Sequence, residues 1–499
     1  MLAQLDTKTV YTFMDSMVTI EEYVKRAKNL GYQTIGIMDI HSLYAAYGFL
    51  EACQKEGLRP IIGCELDWKY NNGQSEILTK LIALSTKGYQ NLMKISTAKM
   101  TGQDDFDSIR QFLQDIAVIV PFKDGVDKLD LGVDYYIGIY SDTPVQSFDH
   151  PVLPLHTVRY FQENQLESLQ VLRAIKDNIP LNQVNEIEHQ QVLLSAERLT
   201  MSFMDRYPQA ISNLAQLVEN VSYHLDKKVK LPRFNRQRPA VEELREKAQA
   251  GLVEKQLDYP LYQERLDKEL AIIHQMGFDD YFLIVWDLLR FGRTQGYYMG
   301  MGRGSAVGSL VAYALNITGI DPVKHNLLFE RFLNSERYSM PDIDIDIPDV
   351  HRSDFIRYVR DRYGTTHAAQ IVTYSTFGAK QAIRDVFKRF GTPEYELTNI
   401  TKKISFRDSL ESAYQRNAAF RQIINSKIEY QKAFAIARQI EGQPRQTSIH
   451  AAGVVVSDED LTDTIPLKIG DDMLITQYDA HAVEANGLLK MDFLGLRNL

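Results

Sequence analysis

The densest chemistry in this chain lies in Pro341-Asp342-Ile343-Asp344-Ile345-Asp346-Ile347, where aspartate and isoleucine alternate. Alternate side chains of a strand share a face, so Asp342, Asp344 and Asp346 point one way while the isoleucines supply a buried surface. Carboxylates stacked this closely repel one another. A divalent cation offsets that repulsion, and two carboxylates two residues apart can hold Mg²⁺ while phosphate oxygens complete its octahedron. A solvated edge strand protected by charge carries the same alternation. Further on, Gly487-Leu488-Leu489-Lys490-Met491-Asp492-Phe493-Leu494-Gly495-Leu496 sets Lys490 and Asp492 two apart on one face of a short apolar strand. Taken alone, that pair is what an ordinary strand salt bridge looks like.

A second motif suits phosphate. Gly302-Arg303-Gly304-Ser305-Ala306-Val307-Gly308-Ser309 places small residues before the apolar run Leu310 to Tyr313. Glycine lets the backbone approach an anion, and serine hydroxyls with free N–H groups at a helix start bind phosphate oxygens. Arg303 adds a cation that complements a triphosphate. No Gly-Lys-Ser/Thr follows, which excludes a Walker-type loop. A tight turn that allows close helix packing fits the same small residues.

The elements that must position these groups follow from patterning. Near the start, Thr19 and Glu22 form a capping-box pattern ahead of an apolar helical face of Ile20, Tyr23, Val24 and Ala27. Gly31 closes that helix. A strand over residues 34–38, a helix over 42–55 and a strand over 60–64 follow, and such strand–helix units predict a parallel sheet or barrel. Residues 231–239 are basic and bracketed by Pro232 and Pro239, which reads as a linker. Helices are expected over 240–256 and 262–276, and residues 393–442 are polar and helical, like an insertion between strand-bearing pieces.

Composition bounds the rest. With 499 residues, 44% hydrophobic and 24% charged, the chain is an ordinary globular composition of two or three domains. No apolar run approaches the ~20 residues of a membrane span. The start, Met1 to Asp6, has no basic region leading into an apolar stretch and does not read as a signal peptide. Cys53 and Cys64 read as packing in a reduced, cytoplasmic protein. The net charge of −9 neither supports nor excludes nucleic acid, because total charge hides a local basic groove.

The blocks in order are Met276 to Val285, Gly302 to Tyr313, Leu328 to Asn334, Pro341 to Asp346, Gln370 to Tyr374, His450-Ala451-Ala452-Gly453-Val454 and Lys490 to Leu496. Together they resemble the C-family of bacterial replicative DNA polymerases, of DNA polymerase III alpha type, over nearly the whole chain. The resemblance implies an α/β multidomain protein. Its PHP domain, a distorted (β/α) barrel, would occupy residues 1–230, followed by the linker 231–239. A nucleotidyltransferase-like α+β palm would take residues 240–377 and 445–499, with a helical thumb at 378–444.

By the same resemblance, Asp344, Asp346 and Asp492 bind two Mg²⁺ ions, with Asp342 a weaker candidate, and Lys490 stabilises the transferring phosphoryl. Arg303, Gly304, Ser305, Gly308 and Ser309 would meet the incoming triphosphate. Arg331 and Arg337 would hold phosphates or serve as surface cations. Arg384, Lys388, Arg389, Lys402 and Lys403 of the thumb could follow the duplex backbone. The implied reaction is template-directed DNA synthesis, with primer-template DNA and dNTPs as substrates and the sliding clamp and other replisome subunits as partners.

Two departures qualify this. PHP domains with a working metal site open on His-x-His, whereas this chain has Gln4-Leu5-Asp6-Thr7-Lys8. The family's Asp-His becomes Asp39-Ile40, and its Val-His-Tyr becomes Val158-Arg159-Tyr160. Only Asp39 and Glu65 remain at placeable positions, with His41 and His156 as neighbours, so no metal is expected there. The second departure is at Leu499, where family members continue into fingers, a clamp-binding region and an OB fold, so an N-terminal fragment is expected. The competing readings are a catalytically incompetent DNA-binding or interaction module and a PHP phosphoesterase or 3′–5′ exonuclease.

Overall fold

The computed structural model describes residues 2–185 and 190–499, apart from the side chains of Ala451 and Ala452. The reading of the chain start at Met1 and of the Ala451-Ala452 pair in the sixth block therefore lies outside the described residues. By contact density the chain forms two units, Met1–His224 with Thr373–Ser448, and Leu225–Val372 with Ile449–Leu499.

In the first unit, β1 (Thr34–Ile40), β2 (Arg59–Tyr70), β3 (Ser75–Ala83), β4 (Ile116–Pro121), β5 (Tyr136–Ile139) and β6 (Val152–Pro154) form one sheet in chain order. The sheet is mixed: β1–β2, β4–β5 and β5–β6 are parallel, while β3 is antiparallel to both its neighbours. Of the two expectations, a parallel sheet or a barrel, the first is corrected by the antiparallel β3. The cause is local, since Asn71, Asn72 and Gly73 take φ of 54°, 56° and 81° and fold β2 back onto β3 as a hairpin. Gln4 bridges Ile35 of β1, and Thr7 bridges Val158 just beyond β6, so the sheet curls into a half-barrel.

The helix Ile20–Asn29 buries Tyr23, Val24 and Ala27, as its periodicity requires. The capping box does not form, because Thr19 makes no cap hydrogen bond and its hydroxyl instead meets the Glu22 carboxylate at 3.5 Å. Both cysteines are fully buried, Cys53 in the helix Ala46–Glu56 and Cys64 in β2, and burial pushes both thiols up.

The polar helical stretch also belongs to this unit. Its helix Ala379–Arg389 buries Ile383, Val386 and Phe387 in one core with Leu169 and Leu172 of the helix Leu166–Asp177. Arg389 donates to the carbonyl of Ile179 at 2.9 Å. A stretch that reads from sequence as an insertion within the second domain is thus packed on the first, because its apolar helix face finds a partner there.

A second sheet consists of β7 (Asp344–Pro348), β8 (Ala368–Thr376), β9 (Pro444–Val456), β10 (Leu467–Lys468), β11 (Ile475–Thr476) and β12 (Leu489–Leu496), in the order β10-β11-β8-β9-β12-β7. Ile343, Ile345 and Ile347 are buried with residues of the helices Pro260–Met276 and Asp279–Thr294. The 231–239 segment is not free. The Phe234 N–H donates to Asp280 at 2.9 Å, the Arg362 guanidinium sits 4.6 Å from the Phe234 ring, and Arg236 pairs with Asp458 at 2.9 Å. Its cations meet carboxylates of the same unit, which composition alone could not show.

Candidate metal centre and phosphate-binding turn

The carboxylates converge because of strand register. β7 is an edge strand that runs parallel to β12, with Asp344 beside Asp492 and Asp346 beside Leu494. On the other side of β12, antiparallel β9 sets Gly453 opposite Asp492. Asp342 lies just before β7, where the buried Tyr281 hydroxyl accepts the N–H of Ile343 at 3.2 Å and braces the chain.

Asp342, Asp344 and Asp492 each offer an oxygen within 4.8 Å of the others. Asp346 is not in that group. It is buried, its Oδ2 lies 3.3 Å from Arg303 Nε, and its Oδ1 has no hydrogen-bond partner. Arg303 also reaches Asp344 at 3.9 Å. The sequence reading ranks Asp342 behind Asp346, whereas it is Asp342 that joins Asp344 and Asp492 in this group.

Partial desolvation, and then repulsion by Asp344 and Asp492, push the Asp342 carboxyl above the ordinary carboxylate range. Lys490 Nζ lies 3.3 Å from Asp492 and 3.7 Å from Glu484. Burial works against the Lys490 charge, yet Asp492 and its neighbours hold the ammonium above its usual value. A cavity of about 410 Å³ opens beside the group, lined in part by Asp342, Glu484, Lys490 and Asp492.

The glycine–serine turn divides in two. Arg303, Gly304 and Ser305 are exposed, and Gly302 and Gly304 take φ of 82° and 74°, which L side chains rarely adopt. Gly308 and Ser309 are buried and committed to the interior. The Ser309 hydroxyl donates to Glu269 at 2.9 Å and caps the short helix Leu310–Ala314 by accepting from the Ala312 N–H. The Gly308 carbonyl accepts from Arg265 at 2.7 Å. The structure therefore removes these two from the exposed phosphate-binding set, because their polar atoms brace the turn from behind.

Three residues that sequence reasoning missed do this bracing. Buried Glu269 also accepts the N–H groups of Leu310 and Val311, and Arg265 holds it from the side at 2.5 Å. Gly300 donates its N–H to the Asp346 carbonyl at 3.0 Å, and a Cβ there would stand 2.5 Å from the Asp346 Cβ. Only the glycine spacing ahead of Arg303 hints at this contact.

Arg331 and Arg337 are exposed and, among the described residues, form no ion pair. Arg384 pairs with Glu394 at 2.8 Å, and Arg389 is spent on Ile179 and Asn178. Lys388 and Lys402 remain exposed. In the first unit, His41 pairs with Asp67, and His156 Nε2 bonds the Val192 carbonyl at 2.7 Å.

The fold comprises a PHP domain with a curled half-barrel sheet and a second domain built on an α/β sheet. The PHP domain model matches residues 4–129, and the model described as the bacterial DNA polymerase III alpha NTPase domain matches residues 240–495. The chain belongs to the bacterial DNA polymerase III alpha family. It is 61% identical to a DNA polymerase III subunit alpha of Streptococcus pyogenes serotype M3, over all of this chain and 48% of that protein. The corresponding subunit of Bacillus subtilis is 35% identical over 99% of this chain and 48% of its own length. The chain therefore spans about half the length of the curated relatives it matches. Among solved structures, a candidate metal-dependent phosphoesterase from Bifidobacterium adolescentis aligns over 41% of this chain and 96% of its own at 10% identity, with a TM-score of 0.19, too low to bear on the fold.

Proposed function

We propose that the carboxylate group is the nucleotidyl-transfer centre of a template-directed DNA polymerase that acts in chromosomal replication. The observation that carries this reading is the register of β7 and β12, which sets Asp344 beside Asp492 and leaves three carboxylates facing one point. The donor set suits a hard divalent cation, since it is all oxygen, and the buried Asp346 Oδ1 is an acceptor still without a partner. Asp344, Asp492 and Asp342 would hold Mg²⁺, with Asp346 available on the same strand. When bound, the two ions would lower the pKa of the primer 3′-hydroxyl and neutralise the triphosphate.

The chain's own residues do the rest. Exposed Arg303 supplies a cation to the triphosphate, and the Gly304-Ser305 backbone and hydroxyl approach its oxygens. Glu269 and Arg265 hold the back of that turn rigid. Lys490, kept charged beside Asp492, stabilises negative charge that develops on the transferring phosphoryl. In this reading residues 240–377 and 445–499 are the palm and 378–444 the thumb, where Lys388 and Lys402 contact duplex phosphates without reading sequence. Primer-template DNA, dNTPs, the sliding clamp and the other replisome subunits are the proposed partners, in the cytoplasm. Among the described residues no helix is long and apolar enough to cross a membrane.

The test is primer extension by the protein at the full length of its relatives. Asp344→Ala and Asp492→Ala should each lower extension more than about a hundredfold, since a lost metal ligand costs several kcal/mol in the transition state. Near wild-type extension by either variant overturns the assignment.

A further inference from the structure

The N-terminal sheet holds a second set of carboxylates, and it is already filled. Lys8 Nζ lies 2.7 Å from one oxygen of fully buried Asp6, while Lys80 Nζ at 2.6 Å and the Thr157 hydroxyl at 2.7 Å meet the other. Glu65 Oε1 lies 3.0 Å from Lys8 Nζ and 2.8 Å from Lys80 Nζ. Lys8 Nζ also donates to the Met38 carbonyl at 2.6 Å, so its three protons have three acceptors. The side chains of Lys8 and Lys80 are 1% and 4% exposed. Asp39 beside them accepts from the Thr9 N–H, the Thr9 hydroxyl and the Thr12 hydroxyl at 2.7 to 2.8 Å.

A metal cluster of the kind that some PHP domains hold does not fit these residues. The atoms facing Asp6 and Glu65 Oε1 are two ammonium nitrogens, and both Asp6 oxygens are engaged. We propose that Lys8 and Lys80 are resident cations of this domain, which supply from within the chain the charge that metal ions would supply from outside. Asp6 and Glu65 match the two ammonium groups in charge, while Asp39 is held by neutral donors, the Thr9 N–H and the Thr9 and Thr12 hydroxyls. The links also span the curled sheet: Lys8 lies on the segment that closes it, Met38 in β1, Glu65 in β2, Lys80 in β3, and Thr157 just beyond β6. Burial opposes ionisation of Asp6 and Glu65, yet the two ammonium groups hold both carboxyls below their ordinary range. A cation attached to the chain needs no free ligand, so the stability of the sheet carries no dependence on metal concentration.

Hydrogen exchange read by mass spectrometry in peptides covering residues 4–9, 34–40 and 59–83 tests this in the 499-residue chain. A local readout keeps metal binding elsewhere in the protein from intruding. In the unaltered chain, exchange should be the same with EDTA and with millimolar MnCl₂. Lys8→Met and Lys80→Met should each raise it at least tenfold, and MnCl₂ should restore protection in the double variant. Exchange that rises with EDTA in the unaltered chain, or falls with MnCl₂, would overturn the proposal. So would single variants that exchange like the parent, or a double variant that manganese leaves unprotected.

Discussion

Two carboxylate clusters, one in each unit, answer the same physical problem in opposite ways. Around Asp6 and Glu65 the chain supplies two ammonium groups, both buried, which pair with both Asp6 oxygens and with Glu65 Oε1. Around Asp342, Asp344, Asp346 and Asp492 the cations paired with these acids among the described residues are the half-exposed Arg303 and the partly buried Lys490, four acids against two cations. The first arrangement lowers the Asp6 carboxyl, while the second raises that of Asp342. A cluster completed from within is a structural device. One left short of positive charge suits the proposed role, in which cations arrive with the substrate.

Removing a single acid from each cluster should separate the two. Asp6→Asn leaves two ammonium groups against Glu65 alone in a buried site, and breaking such a pair costs about 3–5 kcal/mol. Denaturant unfolding followed by local hydrogen exchange should show that loss in the first unit. A variant as stable as the parent would mean that the lysines turn outward, and that the cluster is not closed.

The next largest effect is steric. A Cβ at Gly300 would press on the Cβ of Asp346, so Gly300→Ala should cost about 1–3 kcal/mol in the second unit. Exchange in residues 299–303 and 343–348 reads it directly, and unchanged protection there would show that the backbone yields freely.

The half of the comparison that concerns transferable cations was open to inspection in the chain itself. The alternation from Asp342 to Ile347 encodes a shared acid face and a buried isoleucine face, and period two leaves little choice. Lys490 and Asp492 were visible by the same rule. What could not be read was register, because nothing local says that Asp492 stands beside Asp344. The choice between Asp342 and Asp346 depends on an arginine forty-odd positions upstream and on a glycine backbone. The filled cluster was hidden altogether, since Lys8, Glu65 and Lys80 meet only when the sheet curls. The same holds for the helix Ala379–Arg389, whose apolar face was legible although its partner, more than two hundred residues away, was not.

Acid should act on the two clusters with opposite sign. The folded-state values of Asp6 and Glu65 are depressed, so their contribution is present above the unfolded values near 3.8 and 4.5 and is lost as pH falls below them. The value of Asp342 is raised, so any stability from its protonation is present below 3.8 and is lost as pH rises through the folded value. Protection in residues 34–40 and 340–346, followed from pH 7 downwards, should therefore fall in the first segment while the second resists. Parallel loss in both would erase the electrostatic distinction.

The smallest effect gives the clearest sign. Asp342 is exposed and repelled by Asp344 and Asp492, and its own nearest cations are shared with other acids. Asp342→Asn removes one of the repelling charges while keeping size and shape, and no described hydrogen bond of the Asp342 carboxylate is lost. Since solvent screens an exposed carboxylate, the gain is limited to a few tenths of a kcal/mol and at most about 1. The direction is what matters: the variant should be equal to or slightly more stable than the parent, whereas Asp6→Asn should be clearly less stable. Its affinity for Mg²⁺, measured by calorimetry on the same protein, should fall, because a ligand has been lost from a site whose strain metal would relieve. A variant that loses stability and keeps its metal affinity would place Asp342 among the structural acids, and would move the cation site toward Asp346.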